Sequence, residues 1–215
     1  MNLLLIPERE TRVEMVVVNS RFITTAAPAF SVEQAKAFIA RIRTEFYDAT
    51  HNVPVYLIGH GASTVAHCSD DGEPPGTAGR PALAVLQGSG LGNVAVVITR
   101  YFGGTKLGTG GLVRAYSEAM RAVLTAMPRA VQVPTHTVLF AVPYPLFEQT
   151  RNLIANHQGQ VLSHNFGADV TIEARLTVER FEAFQHALAE LSNRTVQAEI
   201  VETGMTIMPI EECRS

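Results

Sequence analysis

The segment from Thr99 to Leu112 places Gly103, Gly104, Gly108, Gly110 and Gly111 around Lys106, between an apolar stretch and a helical pattern. A strand that runs through glycines into a helix presents backbone N–H groups and the positive end of a helix dipole, the arrangement that receives anions and phosphates. Glycine lets the backbone come close to an anion, and Lys106 adds a full charge on rotatable donors. Tyr101 and Phe102, beside Arg100, offer rings on which bases can stack. Between residues 100 and 129, Arg100, Lys106, Arg114, Arg121 and Arg129 face only Glu118, a net charge of +4. The residues expected to meet phosphate or nucleic acid are thus Arg100, Tyr101, Phe102, Gly103, Gly104, Lys106, Gly108, Thr109, Gly110, Gly111 and Arg114. The segment lacks the Gly-Lys-Ser/Thr ending of a nucleotide P-loop. In the competing reading the glycines only let the helix pack on the sheet, and the cations are a solvated face.

A second cluster lies at Cys68 to Pro81, where Asp70, Asp71 and Glu73 fall within four positions ahead of Gly76, Thr77 and Arg80. Three carboxylates could hold Mg²⁺ or act as acid and base. The loop has neither the alternation nor the terminal Glu of a calcium loop, and Asp-Gly and Pro-Pro-Gly are ordinary turn sequences. A rigid hydrogen-bonded loop or recognition surface is therefore favoured, and no metal or cofactor is expected. A third set, His51, His60, His67 and Cys68, lacks any C-x-x-C or H-E-x-x-H spacing. His67 and Cys68 are adjacent on a strand pattern and point to opposite faces, which argues against a thiol nucleophile with its base.

The elements that must position these residues follow from periodicity. Arg12 to Val18 and Arg21 to Ala27 read as a hairpin about Asn19-Ser20. Ser31 and Gln34 have capping-box spacing, and apolar residues then recur at three and four, predicting a helix over 32–47. Val53 to Gly59 and Thr64 to His67 are further strands, and Pro81 opens a short helix through Gln87. Asn93 to Thr99 is a continuous apolar run, as expected of a central strand buried on both faces. A helix over Leu112 to Met127 stops at Pro128. From residue 135 the pattern restarts as strand (136–142), helix (146–157), hairpin (160–166 and 169–177), helix (179–192) and strand (199–208). This βαββαβ order is the ferredoxin-like unit. The fold class expected is α+β, two α/β two-layer sandwiches, with a first domain over 1–130 and a second over 135–215.

Charge divides along the same line. The chain of 215 residues carries a net charge of −3, yet residues 1–134 hold 12 Lys+Arg against 10 Asp+Glu, while 135–215 hold 5 against 10. The acidic second domain is a candidate surface for a protein partner. Mean hydropathy of +0.13 and the lack of an apolar run near 20 residues argue against a spanning helix. The amino terminus has no signal-peptide pattern, and two distant cysteines, Cys68 and Cys213, do not make a disulfide framework. A cytoplasmic location is expected. The composition leaves the oligomeric state open.

Ser20-Arg21-Phe22, Ala49-Thr50-His51-Asn52, Ser69 to Pro81 and Val97 to Ser117 closely resemble the IMPACT family, in particular its bacterial YigZ-like members. The resemblance implies a first domain with a ribosomal-protein-like α/β fold shared with a domain of elongation factor G. It also implies a second domain similar to that factor's last, ferredoxin-like domain. Eukaryotic relatives modulate translation by competing for the activator of a stress-responsive initiation-factor kinase, through an extra domain for which this chain has no room. Bacterial members have no established enzymatic activity. Two departures stand out: Pro75 replaces the usual Ser after Glu-Pro, and Val53-Pro54-Val55 replaces the usual Cys and small residues after His51-Asn52. The leading expectation is a non-enzymatic protein that binds RNA or the ribosome and takes part in regulating translation. The alternatives are a protein-binding adaptor and a phosphate- or nucleotide-dependent enzyme using the Gly-rich segment.

Overall fold

The computed structural model describes residues 5–209. Cys213, the more distant of the two cysteines noted above, lies outside them. Contacts divide the chain into two units, Met1–Val131 and Gln132–Ser215.

In the first unit five strands form an antiparallel sheet. They are β2 (Thr11–Val17), β3 (Ser20–Pro28), β6 (Val94–Tyr101), β4 (His51–Ile58) and β5 (Val65–Cys68), in the spatial order β2-β3-β6-β4-β5. A short β1 (Leu5–Pro7) pairs with the start of β7 (Arg129–Val142). The helices are α1 (Val32–Glu45), α2 (Gly79–Gln87) and α3 (Gly108–Ala126). Along β6, Val94, Val96 and Ile98 face α2 and α3, while Ala95 and Val97 face Phe38, Ile39 and Ile42 of α1. Strand side chains alternate between faces, so a continuous apolar run is what a strand covered on both sides requires. The α+β class is as expected, and α1 adds a third layer to the first unit because β6 offers apolar residues in both directions.

Local chemistry sets the ends of these elements. Ser31 caps α1 by accepting from the Gln34 amide at 3.2 Å, and Gln34 Oε1 accepts from the Phe30 amide at 2.8 Å. The β2–β3 turn is made by Val18 and Asn19, with φ of 45° and 67°, one residue earlier than Asn19-Ser20. Two successive left-handed residues make the turn that matches strand twist. The largest shift is at α3, which starts at Gly108 rather than at Leu112. Glycines read as helix breakers, but the 19-residue helix behind them carries the pattern back through Gly108-Thr109-Gly110-Gly111.

The second unit places β7, α4 (Phe147–Asn156), β8 (Gln160–Phe166), β9 (Val170–Thr177), α5 (Val178–Leu191) and β10 (Glu199–Pro209) in chain order, with a short 3₁₀ turn at Tyr144–Leu146 ahead of α4. The strands lie in the order β10-β7-β9-β8, as the βαββαβ pattern requires. Ile154 of α4 and Phe184 and Leu188 of α5 share one core with Val138, Phe140 and Ile172, so both helices cover the same face.

Candidate functional site

The two loops singled out in the sequence meet at a buried ion pair. The register of the first sheet lines up Phe22, Arg100 and His51 across β3, β6 and β4. Arg100 Nη1 donates to Glu73 Oε1 at 2.6 Å, with the two side chains 5% and 3% exposed. Tyr116 of α3 donates its hydroxyl to the same oxygen at 2.8 Å, and His51 Nε2 stands 3.7 Å away. Burial, and then the Glu73 charge, push the Tyr116 phenol far up, so it remains a donor. Arg100 Nη2 reaches Ser20 Oγ at 3.1 Å, and Ser20 Oγ also accepts from the Gly103 amide at 3.3 Å. The guanidinium carbon stands 5.5 Å from the Phe22 ring centroid and 5.6 Å from that of Phe102.

The remaining carboxylates are equally committed. Asp70 accepts from the amides of Gly76 at 2.8 Å, Ala78 at 3.1 Å and Gly79 at 2.8 Å, organising the start of α2. Asp71 accepts from the Asn52 amide and from Arg43, both at 2.6 Å, and its carbonyl is 2.8 Å from His51 Nδ1. Thr77 is buried and donates to the Pro74 carbonyl at 2.7 Å. Gly76 has φ of 77°, a conformation that suits glycine. Arg80 is exposed and sits close enough to Asp70 to favour its charge. Among the described residues no three His, Cys, Asp or Glu side chains come together as a metal site. Burial, with Asp70 nearby, pushes the half-buried Cys68 thiol up, which disfavours the nucleophilic thiolate.

Burial raises the Asp70 carboxyl, but its three amide donors and Arg80 outweigh that and hold it below its ordinary value. The stabilisation is complete above the unfolded value of about 3.9 and is lost as pH falls through the lower folded value. Asp70→Asn is expected to lower stability at neutral pH by about 2 kcal/mol, the worth of hydrogen bonds to a charged group. Urea midpoints measured against pH would check this, since the variant lacks the Asp70 share of the acid limb below about pH 4.

The Gly-rich segment beyond Arg100 presents a different surface. No side chain caps α3 at Leu107, and Gly108, Thr109 and Gly110 are exposed. A Cβ built on Gly104, Gly108 or Gly110 would meet no atom within 4 Å. Lys106 and Arg114 are exposed and make no ion pair among the described residues. Gly103 is the reverse: a Cβ there would stand 2.0 Å from the Asn19 carbonyl oxygen.

Comparison with known proteins identifies the family. The Impact N-terminal domain matches residues 18–124, and a domain of unknown function, DUF1949, matches residues 140–193. The curated "IMPACT family member YigZ" of Escherichia coli is 35% identical over 92% of this chain and 98% of its own. The chain belongs to the IMPACT family. A Haemophilus influenzae IMPACT family member is 34% identical over 93% of this chain and 98% of its own. A crystal structure described as that of a hypothetical protein matches at 35% identity and TM-score 0.60, over 94% of this chain and 98% of that one. A structure of the two-domain translational regulator Yih1 matches at 27% identity over 57% of this chain and 47% of that one. At a TM-score of 0.36 the two shapes share too little for an argument.

Within this IMPACT protein the sequence-derived set divides. Arg100, expected at a phosphate-binding surface, is buried, with its guanidinium on Glu73 inside the fold. Tyr101 is tied to Asp48 through its hydroxyl at 2.7 Å, with Arg21 over its ring at 5.6 Å. Phe102 is 44% exposed but has one side engaged by Arg100. Lys106, Gly108, Thr109, Gly110 and Arg114 remain available at the surface, while Gly111 is half-buried. Ser20, His51, Asn52 and Tyr116 carry no signal of their own as partners of Arg100, Glu73 and Asp71. Cross-strand register brings them together, and one sequence does not show that register. The hint lies in the family motifs at Ser20-Arg21-Phe22, Thr50-His51-Asn52 and Val97 to Ser117.

Proposed function

We propose that this protein acts in the regulation of translation by binding RNA or the ribosome through the amino-terminal end of α3. The observation that carries this reading is an uncapped end of a 19-residue helix beside two unpaired cations, Lys106 and Arg114. Exposed amides and a helix dipole receive phosphate oxygens, while Lys106 and Arg114 supply the charge that releases counterions. Arg100, Glu73, Asp70 and Asp71 form the frame that holds this end in place and do not touch the ligand. The acidic second unit is read as the half that faces protein.

An enzyme using Mg²⁺ and phosphate would need a carboxylate with spare coordination near the α3 amides. Glu73 is taken by Arg100 and Tyr116, Asp71 by Asn52 and Arg43, and Asp70 by three amides, so the binding reading is the better supported. Co-sedimentation with ribosomes tests it. The protein is expected to pellet with ribosomes at low salt and to be released as salt rises. Absence of association even at low salt would overturn the reading.

A further inference from the structure

In the second unit four rings stand together, with Phe147 packed against the core and Tyr144 and Phe166 reaching the surface. Tyr144 and Phe166 are stacked at 6.0 Å with 22° between their planes, and the Tyr144 hydroxyl donates to the Gly167 carbonyl at 2.8 Å, which fixes its ring. Phe147 meets Phe166 edge-on at 5.5 Å, and His164 lies 5.2 Å from Phe166 and 5.5 Å from Phe147. A packed aromatic group would normally be covered, yet Tyr144 is 51% and Phe166 55% exposed. Among the described strands, β8, which carries His164 and Phe166, pairs with β9 alone and lies at the edge of the sheet. Exposed apolar groups of this kind mark interaction surfaces.

The net charge of the second unit and a guanidinium already on one ring point to the partner. Residues 135–209 carry 8 Asp+Glu against 4 Lys+Arg, a field that repels a phosphate backbone and attracts cations. Aromatic faces are themselves negative and bind guanidinium groups. One such contact is built in: Arg151 lies 5.8 Å from the Phe147 centroid, with Glu148 at 3.1 Å holding the same guanidinium. We propose that the Tyr144, Phe147, His164 and Phe166 cluster is a docking site for an arginine-rich peptide segment of a partner protein, whose guanidinium groups stack on the exposed rings. The proposal deepens, and rests on, the reading of the second unit as protein-facing. Arginine fits better than lysine because its planar group stacks on a ring as well as carrying charge.

The test uses the full chain and fluorescein-labelled octa-arginine, octa-lysine and a uridine decamer, read by anisotropy. Wild-type protein is expected to bind octa-arginine more tightly than octa-lysine. Tyr144→Leu with Phe166→Leu removes the ring faces and leaves net charge unchanged, and is expected to weaken octa-arginine binding about fivefold or more. Both side chains are half exposed, so the melting temperature of this variant, followed by circular dichroism, is expected to stay near wild type. If the ring variant keeps octa-arginine affinity within twofold, or if only uridine binding depends on the rings, this docking site is wrong while the protein-facing reading stands. If octa-arginine does not bind the wild-type protein, both fall.

Discussion

Arg100→Met is expected to destabilise the fold by about 3–5 kcal/mol, because it strands the Glu73 carboxylate in the interior with a single strong donor, Tyr116. Native stabilities are about 5–15 kcal/mol, so this loss is a large fraction of the whole. Breaking a buried pair costs more than the pair itself contributes, since the remaining charge keeps its desolvation cost. Glu73→Gln combined with Arg100→Met removes both charges and is expected to recover much of the loss. Urea denaturation of the two variants gives the comparison. The result also separates structural from binding roles: a surface phosphate ligand would lose affinity and leave stability within about 0.5 kcal/mol.

Gly103→Ala is expected to cost about 3 kcal/mol or more, and for a different reason. The added methyl would lie 2.0 Å from the Asn19 carbonyl oxygen, 2.1 Å from its carbon and 2.6 Å from the Ser20 nitrogen. All three are backbone atoms of the tight β2–β3 turn, so none can swing aside as a flexible side chain does. Overpacking of this sort costs about 1–3 kcal/mol even where side chains can move, and here the strain falls on two backbones. The Gly103 amide would also move away from Ser20 Oγ, loosening the partner of Arg100. Thermal melting checks the prediction. Gly104→Ala is not an equivalent control, because Gly104 has φ of 83° and would be strained despite open space.

The contrast between Arg100 and Lys106 shows how far the sequence reaches. Both are cations near glycines in a basic stretch, and composition treats them alike. The structure separates them, because Arg100 lies within the strand that packs on both faces while Lys106 follows it into solvent. The βαββαβ order of the second unit was legible from hydrophobic periodicity and turn residues, and the apolar run at Asn93 to Thr99 announced a two-sided strand. The start of α3 was not, since helix propensity assigns glycines to loops and long-range packing overrides it here. The Asp70-Asp71-Glu73 triplet could be read as a rigid loop from its turn chemistry. Its three separate tasks, capping α2, pinning β4 and neutralising Arg100, depend on strand register that spacing alone does not encode.

In the function proposed above, phosphates meet the α3 terminus through Lys106 and Arg114. Filter binding of a structured RNA across a salt series, with wild type and Lys106→Gln/Arg114→Gln side by side, tests it most directly. Each lost phosphate contact flattens the plot of log affinity against log salt by about 0.7–0.9, so the double variant is expected to show a slope smaller by about 1.5. Equal slopes for the two proteins, or no salt-dependent binding by the wild type, would rule out phosphate contacts through Lys106 and Arg114.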